Sequence, residues 1–426
     1  MADIQNFTNA RSLLNALAEA MNLINPEVQD HHQKTAYLAY MTASAAGCDP
    51  EELEQIIYAS LLHDLGAIVY EVPGKITDIE RDAENVSRIG AGMLRGLEEF
   101  DAAADIILCC QISYCRLMSQ NNCPVSGVSE HYIRLASFVH LADTVSLIVD
   151  PGKPVLNQVR NICGIIGSMR GTEFSEEAVD AFMKISENEF IWLDLVNRPT
   201  LLAVFTGEIK NISLNETVRL TNLMSRIIDY RSSFTAMHSA GVAASAMKLA
   251  ELAGMSEDDC MMMRIAGNLH DIGKLMVPRA ILEKPGKLTD EEFGIIRERP
   301  YFTRLILMNV DGFGKIANWA GFHHEKLNGR GYPFHFGASQ LDLGSRIMAV
   351  ADIFSAITEV RPYRAGMSKE QAMNILNENV KNNAVCGDIV GLLSERYEEV
   401  DSIRDSVSRE AGKRYFESLE RAGANK

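Results

Sequence analysis

Two parts of the chain repeat one pattern of apolar residues around histidines and aspartates. The segment HHQKTAYLAYMTASAAG…YASLLHDLGAI at 31–68 is similar to MHSAGVAASAMKLAELAG…IAGNLHDIGKLM at 237–276. Further along, RLASFVHLADTVSLI at 134–148 is similar to RIMAVADIFSAI at 346–357. Self-similarity at matching distances indicates the duplication of one structural unit, so each half must fold into the same architecture.

The intervals between the repeated residues agree between the two copies. In the first copy, His32 and His63 are 31 positions apart and Asp143 follows 80 positions later. In the second copy, which starts at His238, the corresponding intervals are 32 and 82 positions. A match over more than a hundred residues is best explained by an internal duplication.

The sequence predicts an all-α protein. Apolar residues at i, i+3 and i+4 spacing indicate helices at 51–65 and 257–272. Helix starts are indicated by Asp49-Pro50, Ser256-x-x-Asp259, Thr289-x-x-Glu292 and Ser368-x-x-Gln371, and helix ends by Gly47 and Gly254. Strand-like alternation is scarce. With 426 residues, we expect two tandem helical domains, at 1–200 and 201–426.

The amino-acid composition limits which partners the protein is expected to bind and in which cellular compartment it is expected. A net charge of −16 disfavours binding to nucleic-acid polymers, which requires clustered Lys and Arg. No apolar run reaches the roughly 18–20 residues that span a bilayer, and the acidic and polar residues near the N-terminus do not form a secretory signal. The eight cysteines suit reduced thiols. We therefore expect a cytoplasmic protein without nucleic-acid or membrane contacts.

The second copy contains side chains suited to binding metal. The candidates come from four helical segments and are His238, His270, Asp271, His323, His324 and Asp352. Neutral imidazoles and carboxylates are ligands for Fe, Mn, Zn or Ni, and Asp271 could bridge two ions. A single histidine on a helix is usually a satisfied core or surface residue, but this set lies within one duplicated framework. An acidic protein that handles a phosphate ester needs local positive charge, which metal ions supply.

Several motifs in order resemble the HD-GYP branch of the HD phosphohydrolase superfamily. These motifs are HDIGK at 270–274, KPGKLTDEEF at 284–293, HHEKLNGRGYP at 323–333 and RIMAVADIFSAIT…RPYR at 346–364. The resemblance covers about 230–380. It implies hydrolysis of a cyclic dinucleotide, chiefly cyclic di-GMP, with hybrid cyclic GMP-AMP as the alternative. It also implies two divalent transition-metal ions, Fe or Mn by preference and Zn or Ni as alternatives.

The resemblance also implies roles for individual residues. One ion is expected at His238, His270, Asp271 and Asp352, and a second, weaker one at Asp271, His323 and His324. Hydroxide held by the metals would attack phosphorus and open the ring to a linear dinucleotide with a 5′-phosphate. Lys274 would stabilise the developing charge, unless it is a solvated lysine at a helix end. Arg299, Arg330 and Tyr332 would bind substrate, with Gly329 and Gly331 shaping the Gly-Tyr-Pro turn.

The second copy departs from the family pattern at two positions. Arg299-Pro300 stands where the family usually has another ligand histidine. Phe234 stands where trinuclear members carry a glutamate, so a third metal is not expected. Arg299 could bind a substrate phosphate, or it could take the place of the second metal and silence catalysis. The alternative function is therefore a catalytically weak cyclic-dinucleotide receptor or a protein-interaction signalling module.

The first copy retains fewer of the family's motif residues than the second copy does. It keeps His32, His63, Asp64 and Asp143, which could hold one metal ion. It has Ala67 in place of the lysine, and Cys109-Cys110-Gln111 in place of His-His-Glu, without a Gly-Tyr-Pro turn. Buried cysteines are commonly plain small hydrophobes, so these are weaker metal candidates. A regulatory or dimerising remnant, which would form a homodimer, is the other interpretation.

Overall fold

The computed structural model describes residues 4, 6–24, 30–68, 83–95, 100–119, 123–197, 211–231, 237–359 and 366–421. Within these ranges the chain is almost entirely helical, which confirms the predicted all-α class. The α-helices are α1 (Ala10–Asn22), α2 (His31–Ala46), α3 (Pro50–Leu62), α4 (Ala83–Leu94), α5 (Asp101–Cys109), α6 (Tyr114–Leu117), α7 (Glu130–Ile148), α8 (Val159–Ser168), α9 (Glu176–Ser186), α10 (Glu189–Val196), α11 (Leu214–Asp229), α12 (His238–Leu252), α13 (Glu257–Leu269), α14 (Arg279–Leu282), α15 (Asp290–Leu307), α16 (Gly314–Gly321), α17 (Leu343–Thr358), α18 (Lys369–Lys381), α19 (Gly387–Glu395) and α20 (Tyr397–Arg421).

Short 3-10 helices and one pair of strands complete the described elements. The 3-10 helices are Leu65–Ile68, Val155–Asn157 and Ile272–Met276. Strands β1 (Thr8–Asn9) and β2 (Asn211–Ile212) pair antiparallel. None of the helices described has both the length and the apolar character that a membrane span requires.

The chain forms two compact units, whose bounds differ from the predicted domains. The N-terminal unit comprises Met21–Ile209 with Ser418–Lys426, and the C-terminal unit comprises Met1–Ala20 with Lys210–Glu417. The first residues belong to the C-terminal unit because β1 pairs with β2, and because Asn9 Nδ2 donates to Asp311 Oδ2 at 3.0 Å. The predicted boundary between residues 200 and 201 lies outside the described residues.

Helix caps form where the sequence predicts them. The capping side chains are Asp49 before α3, Ser256 before α13, Thr289 before α15 and Ser368 before α18. Gly47 and Gly254 follow α2 and α12 in the left-handed conformation, with φ of 86° and 77°. These caps satisfy backbone groups at the helix ends and so define where each helix stops.

The same close approach of two helices occurs in both units. A Cβ atom on Gly66 would lie 2.0 Å from the Val86 carbonyl oxygen, and one on Gly273 would lie 2.2 Å from the Arg299 carbonyl oxygen. Only glycine therefore permits each 3-10 helix to contact the long helix that follows it. The match also shows that Val86 on α4 occupies the position that Arg299 occupies on α15.

Candidate active site

The metal-ligand candidates of the C-terminal unit converge, although they lie far apart in sequence. His238 is the first residue of α12, His270 caps the end of α13, and Asp352 lies within α17. Asp271 follows His270 directly, and His323 and His324 follow α16. Groups whose donor atoms lie within 4.8 Å of one another are His238–His270–Asp352, His270–Asp271–His323 and His323–His324–Asp352.

Outer hydrogen bonds orient these imidazoles. The Nδ1 atom of His270 donates to the Gly267 carbonyl at 2.8 Å, and that of His323 donates to the Ala320 carbonyl. Because a carbonyl can only accept, each Nε2 atom is left with a lone pair directed toward the cluster. Such a second hydrogen bond accompanies most metal-bound histidines. The donor chemistry of the cluster therefore fits divalent transition metals.

Burial and neighbouring charges set the protonation of the cluster. Burial lowers the pKa of His323 to about 4. Burial also lowers the pKa of His238, but its hydrogen bonds to Asp352 and Glu359 outweigh this effect and raise the pKa to about 10. Burial would raise the pKa of Asp271, yet the adjacent Arg299 guanidinium holds it well below its usual range. The carboxylates are therefore ionised, as ligands must be.

Arg299 lies inside the cluster. Its Nη1 atom lies 3.3 Å from Asp271 Oδ1, and its Nη2 atom lies 3.1 Å from His324 Nε2. A guanidinium has only donors, so His324 Nε2 must accept with the one lone pair of a neutral imidazole. Arg299 thus competes for donor atoms that the sequence assigns to the second metal.

Lys274 is buried, which excludes the alternative of a solvated lysine at a helix end. It lies in the 3-10 helix Ile272–Met276 and is 3% exposed. Burial lowers its pKa, opposed by the carboxylates of Asp271 and Asp229. The sequence analysis did not identify Asp229, which accepts from Ser239 Oγ at 2.8 Å. Burial raises the pKa of Asp229 to about 7.

The Gly-Tyr-Pro segment lies beside the cluster. The Tyr332 ring centroid is 4.9 Å from that of His324. Gly329 has a φ of 71°, and a Cβ atom on Gly331 would lie 2.4 Å from Glu325 Cα, so the turn requires both glycines. Arg330 is exposed on the same turn.

Glu325 is a further residue that the sequence analysis did not single out. Its carboxylate is buried and accepts from the backbone N–H groups of Phe334 at 2.7 Å and Phe336 at 3.0 Å. These bonds close the loop that carries the Gly-Tyr-Pro turn. Phe234 and the RPYR segment at 361–364, which entered the sequence comparison, lie outside the described residues.

The N-terminal unit groups His31, rather than the predicted His32, with His63 and Asp64. His31 is the first residue of α2, as His238 is of α12, and both precede the second histidine by 32 positions. His31 Nε2 also lies 3.0 Å from Asp143 Oδ1. The sequence signal that identifies His31 is the interval of 32 positions to the second histidine, which is identical in the two units. The sequence analysis chose His32 and was therefore displaced by one residue.

The pair that replaces His323 and His324 is Cys110 and Gln111, one residue later than the sequence comparison suggested. Cys110 Sγ donates to the carbonyl three residues before it, as His323 Nδ1 does. Gln111 Nε2 donates to Asp143 Oδ2 at 2.7 Å, so an amide occupies this corner of the cluster. Cys109 is buried, and burial raises its pKa to about 12.

A helical bundle with buried histidines and aspartates, and with a lysine and an arginine beside them, defines a metal-dependent phosphohydrolase of the HD class. A sequence profile for the HD domain matches residues 222–385. The 3′3′-cGAMP-specific phosphodiesterase 1 of Vibrio cholerae is 30% identical over 87% of this chain and 88% of its own. A cyclic di-GMP phosphodiesterase of Pseudomonas aeruginosa is 37% identical over 38% of this chain and 40% of its own.

The fold has a solved counterpart. The crystal structure of a cyclic GMP-AMP specific phosphodiesterase from V. cholerae superposes with a TM-score of 0.62 at 22% identity, covering 92% of this chain and 98% of that one. This likeness supports the fold. The chain belongs to the HD-GYP family of metal-dependent cyclic-dinucleotide phosphodiesterases.

Proposed function

We propose that the C-terminal unit hydrolyses 3′3′-cGAMP to a linear dinucleotide. The observation that carries the proposal is the convergence of the buried His/Asp cluster with Lys274 and Arg299. The choice of substrate is supported by the relative that matches both units, which is named for this dinucleotide. Cyclic di-GMP, the substrate expected from the sequence, is the second candidate, because the relative from Pseudomonas aeruginosa is named for it.

The metal ions are assigned to two groups of ligands. His238, His270, Asp271 and Asp352 would hold the tighter ion. Asp271, His323 and His324 would hold a weaker one, because Arg299 competes for Asp271 Oδ1 and His324 Nε2. Iron or manganese fits this imidazole and carboxylate set, with zinc or nickel as alternatives. Bound ions would lower the pKa of water and offset phosphoryl charge.

The protein's own groups position the phosphodiester. Water adds to phosphorus, the P–O3′ bond breaks, and a proton passes to the O3′ atom, which leaves a 5′-phosphate on the linear product. Lys274 would bind a non-bridging oxygen as the negative charge on that oxygen grows, and the guanidinium of Arg299 would hold the same phosphoryl group. Tyr332 and Arg330 on the adjacent turn would contact the rest of the dinucleotide.

Steady-state turnover on three cyclic dinucleotides tests the substrate. Anaerobically prepared, metal-replete protein is assayed on 3′3′-cGAMP, cyclic di-GMP and cyclic di-AMP, and linear products are quantified by chromatography. We expect the highest kcat/KM on 3′3′-cGAMP. A higher value on cyclic di-GMP would reassign the substrate, and the absence of turnover on all three would refute the proposed activity.

Metal analysis tests the two-ion assignment. Because Asp271 serves both ion positions, wild-type protein should contain two more equivalents of metal than Asp271→Ala under anaerobic, metal-replete conditions. A difference of one equivalent would show that Arg299 restricts the centre to a single ion.

A further inference from the structure

We propose that a cleft between α15 and the Gly-Tyr-Pro turn binds the guanine base of the cyclic dinucleotide, and that Arg297 and Glu298 recognise the edges of this base. The inference rests on the proposed hydrolysis of a cyclic dinucleotide by the C-terminal unit. Guanine is common to 3′3′-cGAMP and cyclic di-GMP, so the inference holds for either candidate substrate. It assigns two specificity-determining residues that lie outside the metal-ligand cluster.

The cleft lies between one face of α15 and Pro333 of the turn. It has a volume of about 420 Å³, and α15 contributes Arg297, Glu298, Tyr301 and Phe302 to its lining. Small-molecule sites typically have volumes of about 300–1,000 Å³. Residues four apart share a face of a helix, so each charged residue is followed by an aromatic one along the cleft. The cleft therefore combines aromatic rings with charges of both signs.

Tyr332 connects the cleft to the metal-ligand cluster. Its ring centroid is 4.9 Å from that of His324, and the guanidinium carbon of Arg297 lies over the same tyrosine ring, 5.6 Å from the centroid. One aromatic ring therefore separates the cleft from a proposed metal ligand. Because a nucleotide joins its base to its phosphate through a single sugar, a phosphodiester bound at the cluster can place a base in the cleft.

Exposed aromatic rings provide a surface on which a base can stack. Tyr301 is 46% exposed, and Phe293, one helical turn before Arg297, is 45% exposed. The ring centroid of Phe293 lies 6.2 Å from that of Tyr332. The ring centroid of Tyr301 lies 6.2 Å from that of Phe334 on the same loop. Stacking on aromatic side chains contributes affinity to every base, so it explains why a base binds but does not select one.

The charged residues of the cleft select guanine over adenine. Among the described residues, the side chains of Arg297 and Glu298 form no hydrogen bond or ion pair with one another or with a neighbour, so both are available to a ligand. A guanidinium can donate two hydrogen bonds to the O6 and N7 acceptors of guanine. A carboxylate only accepts, and guanine presents adjacent N1–H and N2–H donors to it. Adenine has neither O6 nor these two donors.

The corresponding helix of the N-terminal unit, α4, carries a different set of residues. Counted from Val86, which occupies the position of Arg299, the two charged residues of the cleft are replaced by Glu84 and Asn85. Glu84 is moreover paired with the guanidinium of Arg116. The unit that lacks the lysine and arginine of the active site thus also lacks the arginine and the carboxylate of the cleft. This is expected if the cleft serves the substrate.

Steady-state kinetics on two substrates test the role of Glu298. The first is 3′3′-cGAMP, and the second is its inosine analogue, in which hypoxanthine replaces guanine and only the 2-amino group is lost. Wild-type protein should show a KM about tenfold higher on the analogue at similar kcat, as expected for the loss of one hydrogen bond to a charged group. Glu298→Gln should raise KM on 3′3′-cGAMP about tenfold and remove most of the difference between the two substrates.

Two further variants separate the role of Arg297 from a general loss of affinity. Arg297→Lys should raise KM on both substrates by the same factor, because hypoxanthine retains O6 and N7 and lysine cannot bind them bidentately. Glu395→Gln, which alters an exposed carboxylate at the end of α19, is the matched control and should change KM on neither substrate.

The outcomes distinguish the guanine subsite from the proposed activity. Absence of turnover on every cyclic dinucleotide would refute the activity. Turnover with equal KM on the guanine and hypoxanthine substrates, or an unchanged preference between them in Glu298→Gln, would overturn the guanine subsite alone. A structure of Lys274→Met protein with 3′3′-cGAMP provides a test that does not depend on kinetics. Guanine should occupy the cleft, and adenine there, or an empty cleft with substrate at the cluster, would overturn the inference.

Discussion

Replacing Lys274 should reduce the chemical step while leaving the metals in place. The side chain is 3% exposed and lies close to the carboxylates of Asp271 and Asp229. Lys274→Met keeps most of its volume and removes the charge, so the substitution probes electrostatics more cleanly than alanine. Lys274→Met and Lys274→Ala should each lower kcat and kcat/KM together, because the interaction of the lysine with the phosphoryl oxygen strengthens in the transition state.

The expected magnitude follows from the burial of Lys274. A unit charge about 4 Å from another interacts by about 4 kcal/mol at an effective dielectric constant of about 20, and by about 1 kcal/mol in water. Removing one preorganised donor from other active sites costs about 10²–10³ in kcat, or about 2.7–4 kcal/mol. We therefore expect a loss of about 10²–10³ for the buried lysine, whereas a solvated one would give only about fivefold.

The assay measures linear dinucleotide formation at saturating substrate, with metal content determined on the same samples. Lys326→Ala is the matched control, because this lysine is exposed on the loop after the histidine pair. The control should leave kcat unchanged. A kcat of Lys274→Met within fivefold of wild type, at normal metal content, would refute the role of Lys274.

Three further substitutions test other parts of the site. Arg299→His should tighten the second ion and raise kcat, because it releases Asp271 Oδ1, and it should also raise KM, because the guanidinium that would hold the phosphoryl group is lost. Unchanged metal affinity and rate would favour a binding protein over an enzyme. Gly273→Ala should lower the free energy of unfolding by about 1–3 kcal/mol in urea titrations, since its Cβ would meet a carbonyl oxygen at 2.2 Å. Gly294→Ala on α15 has open space and should not destabilise the protein, so an equal loss from both would contradict the steric argument. Glu325→Gln should raise KM more than it lowers kcat, because it weakens the bonds that close the substrate loop; an unchanged KM would contradict this.

The sequence predicted the architecture well because its signals are local or repeated. Helix caps such as Thr289 depend on residues within one turn, and the duplicated intervals identified the histidines and aspartates that the fold brings together. The sequence comparison aligned His32 with His238, whereas His31 has the corresponding position, because two adjacent histidines begin α2 and similarity alone tolerates a shift of one residue. Only the position of His31 at the start of α2 resolves the register.

Other features depend on long-range packing and had no local signal. Nothing in the sequence around Asp229 indicates that the end of α11 lies near Lys274. The burial of Glu325 depends on a loop that folds back over about ten residues. The assignment of residues 1–20 to the C-terminal unit follows from pairing between β1 and β2, whose two-residue strands are too short to be recognised from alternation.

The most direct test of the central claim compares Asp271→Ala with Asp64→Ala, the corresponding aspartates of the two units. Both metal-replete proteins are assayed for linear dinucleotide formation per folded molecule, on the substrate that wild type prefers. If the C-terminal cluster alone performs hydrolysis, Asp271→Ala abolishes product formation and Asp64→Ala retains most of the wild-type rate. Equal loss from the two substitutions, or full activity in Asp271→Ala, would contradict the assignment of catalysis to the C-terminal unit.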